Sequence, residues 1–227
     1  MVRQTFHEQL ADLQERVMAL GRMVGDALVD SVDQLKRRDL AASRQLIAQD
    51  HTVNATRFAI ENQALTLIAT QQPMARDMRL LAAILDIASE MERIGDYAKG
   101  IARINLAIGE QPLMKPLVDL PLMADKARAM FDAALEAFDR RDIDRARAIP
   151  QGDDEVDALY QQIYRELVSY ITRDPTTIEQ ANLLMWAAHN LERAADRVTN
   201  LCERVVYTVT GVLEELDSDT SNVESLS

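Results

Sequence analysis

Apolar residues fall into helical stripes along much of the chain. Ile84, Ile87, Met91, Ile94, Ala98 and Ile101 recur at alternating steps of three and four, and Leu184, Ala187, Leu191, Ala194, Val198, Leu201 and Val205 repeat that spacing 100 residues later. Such a stripe is the packing seam of an amphipathic helix. Val156, Leu159, Ile163, Leu167 and Tyr170 mark a further helix ahead of the second seam. Breakers divide the pattern: Pro73 follows "TQQ", Pro175 follows "TRD", and "GEQPLMKPLVDLP" over 109–121 carries three prolines and a glycine. Shorter turns are predicted at "RRD" (37–39 and 140–142) and at "PQGD" (150–153). The pattern predicts six long helices, three on each side of the central connection.

The two sides repeat each other. "RRDL" at 37–40 matches "RRDI" at 140–143, and "DHTVN" at 50–54 matches "DDEVD" at 153–157, both at a shift of 103; the shift is 102 at the prolines and 100 at the seams. Small deletions account for the drift, so the unit is helix, turn, helix, proline, helix, used twice. The expected fold is all-α, two tandem three-helix bundles: a first repeat over 1–108, a connection over 109–121 and a second repeat over 122–213. The remaining "EELDSDTSNVESLS" (214–227) has no apolar period and reads as a disordered acidic tail.

Composition agrees with helices, since only 4% of the 227 residues are aromatic while 48% are hydrophobic. A net charge of −12 argues against nucleic acid as a partner, because its binders carry basic surface to replace phosphate counterions. Cations and basic partners stay open. The longest apolar runs, "LLAAIL" and "LLMWAA", are far short of the ~20 residues that span a bilayer, so no direct membrane insertion is expected. Cys202 is the only cysteine and sits among apolar neighbours, which fits a buried thiol and a cytoplasmic location.

Each seam carries a pair of acids at its flank. "ERIGD" (92–96) recurs as "ERAAD" (192–196), placing Glu92 beside Asp96 and Glu192 beside Asp196 one helical turn apart. Like charges at that spacing weaken an isolated helix, so a twice-repeated choice points to a cation. Clustered carboxylates suit hard ions such as magnesium, manganese or iron. A solvated helix face would produce the same acids, but Glu192 has no base four residues away on either side and Asp196 is followed by Asn200 at that distance.

Other groups are weaker candidates. Asp50, Asn54, Asp153, Asp154 and Asp157 are read as opening the middle helices, where acids also favour the helix N-terminus; repetition keeps Asp50 and Asp153 in view. His189 precedes Glu192 by three residues, but Ser89 replaces it in the first repeat. Trp186 and the methionines read as core. No phosphate loop, nucleophile elbow or triad emerges, so covalent catalysis has no support. A carboxylate-bridged metal-dependent enzyme on a helical bundle is the alternative; it requires ligands converging inside one bundle, and the Glu-x-x-His pattern of such enzymes is absent. A purely structural scaffold would hold no stoichiometric metal.

The strings "QQPMARDMRLLAAILDIASEMERIGDYAKGIARI" and "HNLERAADRVTNLCERVV", with the repeated three-helix unit, resemble the PhoU family of phosphate-uptake regulators over nearly the whole chain before the acidic tail. The resemblance implies metal at the two E/DxxxD motifs: Glu92 and Asp96, Glu192 and Asp196, with Asp50 and Asp153 of the middle helices. Iron is the implied cation, with manganese, magnesium or zinc as alternatives. The family pattern has an acid two residues before the first Glu, which is Glu90 here; the second repeat departs from it with Asn190, and Ala194 and Ala195 stand where the first has Ile94 and Gly95. The resemblance further implies a noncatalytic negative regulator of the phosphate-starvation response and of phosphate uptake. It would link the ATPase of a phosphate ABC transporter to a sensor histidine kinase, as a homodimer.

Overall fold

The computed structural model describes residues 2–216, and every regular element among them is helical. The first repeat comprises α1 (Val2–Arg37), α2 (Leu40–Gln71) and α3 (Ala75–Ile108); the second comprises α4 (Asp119–Arg140), α5 (Ile143–Ala148), α6 (Asp153–Arg173) and α7 (Ile178–Thr210). The acidic tail expected over 214–227 lies, from 217 onward, outside the described residues.

Both "RRD" turns are built alike. Arg38 and Arg141 adopt the left-handed region at φ 61° and 54°, reversing the chain, and the following aspartate caps the next helix. Asp39 accepts from the Ala42 backbone N–H at 2.9 Å, and Asp142 from that of Arg145 at 3.0 Å. Each cap satisfies a backbone donor that the first helical turn leaves without a partner.

All the seam residues of α3 and α7 named above are buried. α3 packs against α1, α2 and α7, and α7 packs against α4, α5 and α6, so the two bundles share a central α3–α7 face. Truncating a fully buried seam residue such as Ile94 or Leu191 to Ala is worth about 2–5 kcal/mol.

The turn expected at "PQGD" forms as a 3-10 turn, Ile149–Gly152, around Pro150, and with it the second repeat gains the short α5 where three helices were expected. Two other expectations change. Because α2 begins at Leu40, Asp50 and Asn54 lie well inside it and the helix-terminus argument applies only in the second repeat, to Asp153, which opens α6, and to Asp154 in its first turn. Trp186 is not core: it is 60% exposed, standing off the seam between Leu184 and Ala187 with its ring edge-on to His189.

Candidate carboxylate site in each repeat

In the first repeat α3 presents Glu92, Asp96 and Lys99, and α2 brings Asp50, Asn54 and Arg57 opposite them. The Lys99 ammonium lies between two carboxylates, 2.7 Å from Asp50 Oδ2 and 3.0 Å from Asp96 Oδ1. Asn54 steadies Asp50 by donating to its carboxylate at 3.1 Å. These acids hold the Lys99 pKa above its ordinary value, the hydrogen bond to Asp50 first among the causes. Glu92 is raised by burial and by Asp96 and Asp50, while Arg57 and Lys99 oppose the shift. Arg57 is itself held 2.5 Å from Glu61 and lies over the Phe58 ring.

The second repeat keeps the acids and lacks the counterparts of Arg57 and Lys99. Val53 and Ile60 of α2 correspond to the equally buried Val156 and Ile163 of α6, which aligns Arg57 with Tyr160; on the third helices Lys99 aligns with Thr199. Glu192 is consequently pushed up to about 7, by burial first and then by Asp196 and Asp157, with Arg193 opposing. Burial and the Glu192 charge also raise the Tyr160 hydroxyl. His189 Nδ1 lies 3.2 Å from Glu192 Oε2 without making a hydrogen bond to it, and that oxygen is buried with no hydrogen-bond partner. A charged carboxylate in that setting gains from a cation.

The structure therefore brings Asp50 to Glu92 and Asp96, but in the second repeat it is Asp157, one turn past Asp153, whose charge acts on Glu192. Bases at a distance of three residues also correct the expectation of an unladdered second pair: His189 precedes Glu192, and Arg193 Nε is 3.9 Å from Asp196 Oδ2. Glu90 faces away from both sites. It reaches α7, where Arg197 donates to it at 3.4 Å and Asn200 at 3.2 Å.

Among the described residues no group of three or more His, Cys, Asp or Glu side chains is placed to hold a metal ion. In the first repeat Lys99 already fills the cationic role between Asp50 and Asp96. The second repeat has the donor chemistry for a hard cation, an unpartnered buried oxygen among acids, and lacks that lysine. The four motif carboxylates divide between the α2–α3 and α6–α7 flanks, whereas a bridged-metal enzyme needs them inside one bundle. No helix among the described residues is long and apolar enough to cross a membrane.

The tandem pair of helical bundles is a fold shared with known proteins. The PhoU domain model matches residues 17–104 and again 120–205, and the chain belongs to the PhoU family. It is 34% identical to the phosphate-specific transport system accessory protein PhoU of Escherichia coli, covering 91% of this chain and 86% of that one. A Caulobacter vibrioides homolog of that protein is also 34% identical, with 98% and 96% covered. Among solved structures, PhoU from Pseudomonas aeruginosa superposes with a TM-score of 0.86 at 32% identity over 91% of this chain and all of that one. The phosphate transport system regulatory protein PhoU from Streptococcus pneumoniae gives 0.85 at 29%, over 92% and 99%.

Proposed function

We propose that this protein is a regulatory accessory of phosphate transport, a cytoplasmic adaptor between the ATPase of a phosphate ABC transporter and a sensor histidine kinase. In this reading it restrains phosphate uptake and the starvation response when phosphate is ample, and acts as a homodimer. Its main support is the match of both repeats, over nearly the full length, to relatives named as phosphate-specific accessory proteins. Those names describe accessory proteins of transport, and the reading gives this chain no catalytic step.

Cation binding is part of the proposal. Glu192 and Asp196, with Asp157 alongside, would hold a hard cation such as iron, manganese or magnesium, with zinc as a further alternative. Glu92, Asp96 and Asp50 would do so only after Lys99 withdraws, and Asp153 would play an outer part. A bound cation would offset the charge cost of ionised Glu192 and stiffen the α6–α7 flank, favouring one docking partner over another.

The test is Mn2+ titration calorimetry and transporter-ATPase binding, each measured on wild type and on Glu192→Ala/Asp196→Ala with helicity checked. The expected result is Mn2+ uptake lost in the folded variant, together with a changed ATPase affinity. Equal uptake by both proteins would remove the cation from the proposal, and absence of any ATPase binding by wild type would remove the adaptor.

A further inference from the structure

The two repeats differ in one more place. In the first repeat, α1 and α2 enclose an open groove of about 530 Å3, floored by Met23, Ala27, Leu46 and Val53, with Asp26 and Asp30 on its α1 rim. At the shift of 103 that relates α1 to α4, Ala27 corresponds to Met130, and Asp26 and Asp30 to Ala129 and Ala133. Met130 is buried against the 3-10 turn, where a Cβ added to Gly152 would come within 3.2 Å of its Cγ. The second repeat thus fills with a methionine, and with a bent middle helix, the space that the first leaves open. It also lacks the acidic rim.

The rim is only partly neutralised from within. Arg128 reaches Asp26 at 2.8 Å but is shared with Asp132, and Asp30 has no ion pair among the described residues. Burial together with Asp26 and Asp33 raises the Asp30 pKa against the weaker pull of Arg128, as expected of a carboxylate short of positive charge.

We propose that the α1–α2 groove of the first repeat is a docking site for an amphipathic basic segment of a partner protein, with apolar side chains on the Met23–Ala27–Leu46–Val53 floor and a Lys or Arg at Asp30. An apolar floor beside one acid, Asp30, without an ion pair among the described residues selects that chemistry over an acidic or wholly polar segment. The inference supplies a surface for the adaptor role proposed above and rests on that role only for the partner's identity.

The probe is a fluorescent 18-residue Lys/Leu peptide with leucines at helical spacing, beside a Glu/Leu counterpart. Binding is measured by anisotropy on the full chain. Ala27→Met copies the plug of the second repeat, and Asp30→Ala copies its rim; Glu8→Gln and Glu179→Gln change exposed acids elsewhere. The Lys/Leu peptide is expected to bind wild type, about tenfold more weakly to Ala27→Met and about threefold more weakly to Asp30→Ala. The two control variants should match wild type, and the Glu/Leu peptide should not bind. Should Ala27→Met unfold, Gln49→Trp at the groove mouth is the second plug. No binding by wild type, unchanged binding to the plugged protein, or equal weakening by every acid change would overturn the proposal. So would a plug that dissociates a dimer of this chain while leaving peptide affinity intact. Asp50 of the first pair also lines the groove, but none of these results depends on Mn2+ uptake at Glu192 and Asp196, so the groove and the second-repeat cation site fail separately.

Discussion

Asn200 of α7 donates to Glu90 of α3 at 3.2 Å, and the image positions also meet with the repeats exchanged, where the Asn190 side chain packs against Gly100. Each contact is the other's image at the shift of 100 residues, so the α3–α7 face is an internal pseudo-twofold. Glu90 is the asymmetric member, a charge where its counterpart is the amide of Asn190. Arg197 balances it, and both side chains are more than four-fifths buried. Glu90→Ala would leave Arg197 with Tyr97 but no carboxylate and would take the acceptor from Asn200, with an expected loss of about 1–3 kcal/mol in urea unfolding. Mn2+ uptake should be unchanged, because Glu90 points into the interface; lost uptake would return it to the cation site.

Stability of the metal-free protein should carry the mark of Glu192. Its folded pKa is raised from an ordinary 4.5 to about 7, so the folded state holds the proton more tightly than the unfolded chain. The stability this confers is full below pH ~4.5 and is lost as pH rises through about 7. The groups facing Glu192 are Asp196, Arg193 and His189 on α7, and Asp157 and Tyr160 on α6. Relative to wild type, Glu192→Gln should therefore gain stability across that window, by roughly 3 kcal/mol at 1.36 kcal/mol per pKa unit. Chemical unfolding in chelator at pH 4.5, 6 and 8 reads it directly. A constant difference between the two proteins would contradict the assignment.

The seams and the doubled motif were legible because helical spacing is local and repetition removes chance. What escaped the sequence lay across helices or off the four-residue step. Arg57 reaches the first site from α2, Lys99 sits three residues past Asp96, and Arg193 precedes Asp196 at the same short step. A search at both i+3 and i+4 would have found the last two. Trp186 was misplaced by residue type, although the seam already ran through Leu184 and Ala187 and left the intervening face outside. The turn at Pro150 was readable, whereas the groove it closes was not, since cavity shape depends on how Met130 and Gly152 meet in space.

Lys99 divides the repeats into one with its own cation and one without. Lys99→Thr installs the residue of the second repeat and leaves Asp50, only 10% exposed, with Asn54 but no ammonium. The metal-free variant should lose about 1–3 kcal/mol and gain an additional Mn2+ equivalent at the first pair, visible as a second calorimetric phase. Loss of stability without added uptake would mean that Lys99 is structural and that the first pair does not hold a cation even when freed.

The α1–α2 turn offers the most stringent use of the repeat as its own control. The side-chain amide of Asn105, fully buried, donates to the Gln34 carbonyl at 3.1 Å, the Asp39 carbonyl at 3.2 Å and Ser43 Oγ at 2.9 Å. Arg38 donates to its oxygen and to the carbonyls of Gly109 and Gln111, tying the end of α3 to the turn. In the second repeat Val205 takes the place of Asn105 and Ala146 that of Ser43, both buried, and the same "RRD" turn forms with no such network. Asn105→Val alone should therefore cost about 1–3 kcal/mol, because Ser43 Oγ loses its donor in a dry setting while the Gln34 and Asp39 carbonyls keep only their backbone N–H partners. Ser43→Ala in addition removes one stranded group, so the pair should cost less than the sum of the single changes, with a coupling of about 1 kcal/mol. Urea unfolding of the four proteins closes the cycle. Strict additivity would show that Asn105 and Ser43 act independently and that the turn is held by Arg38 and the Asp39 cap alone.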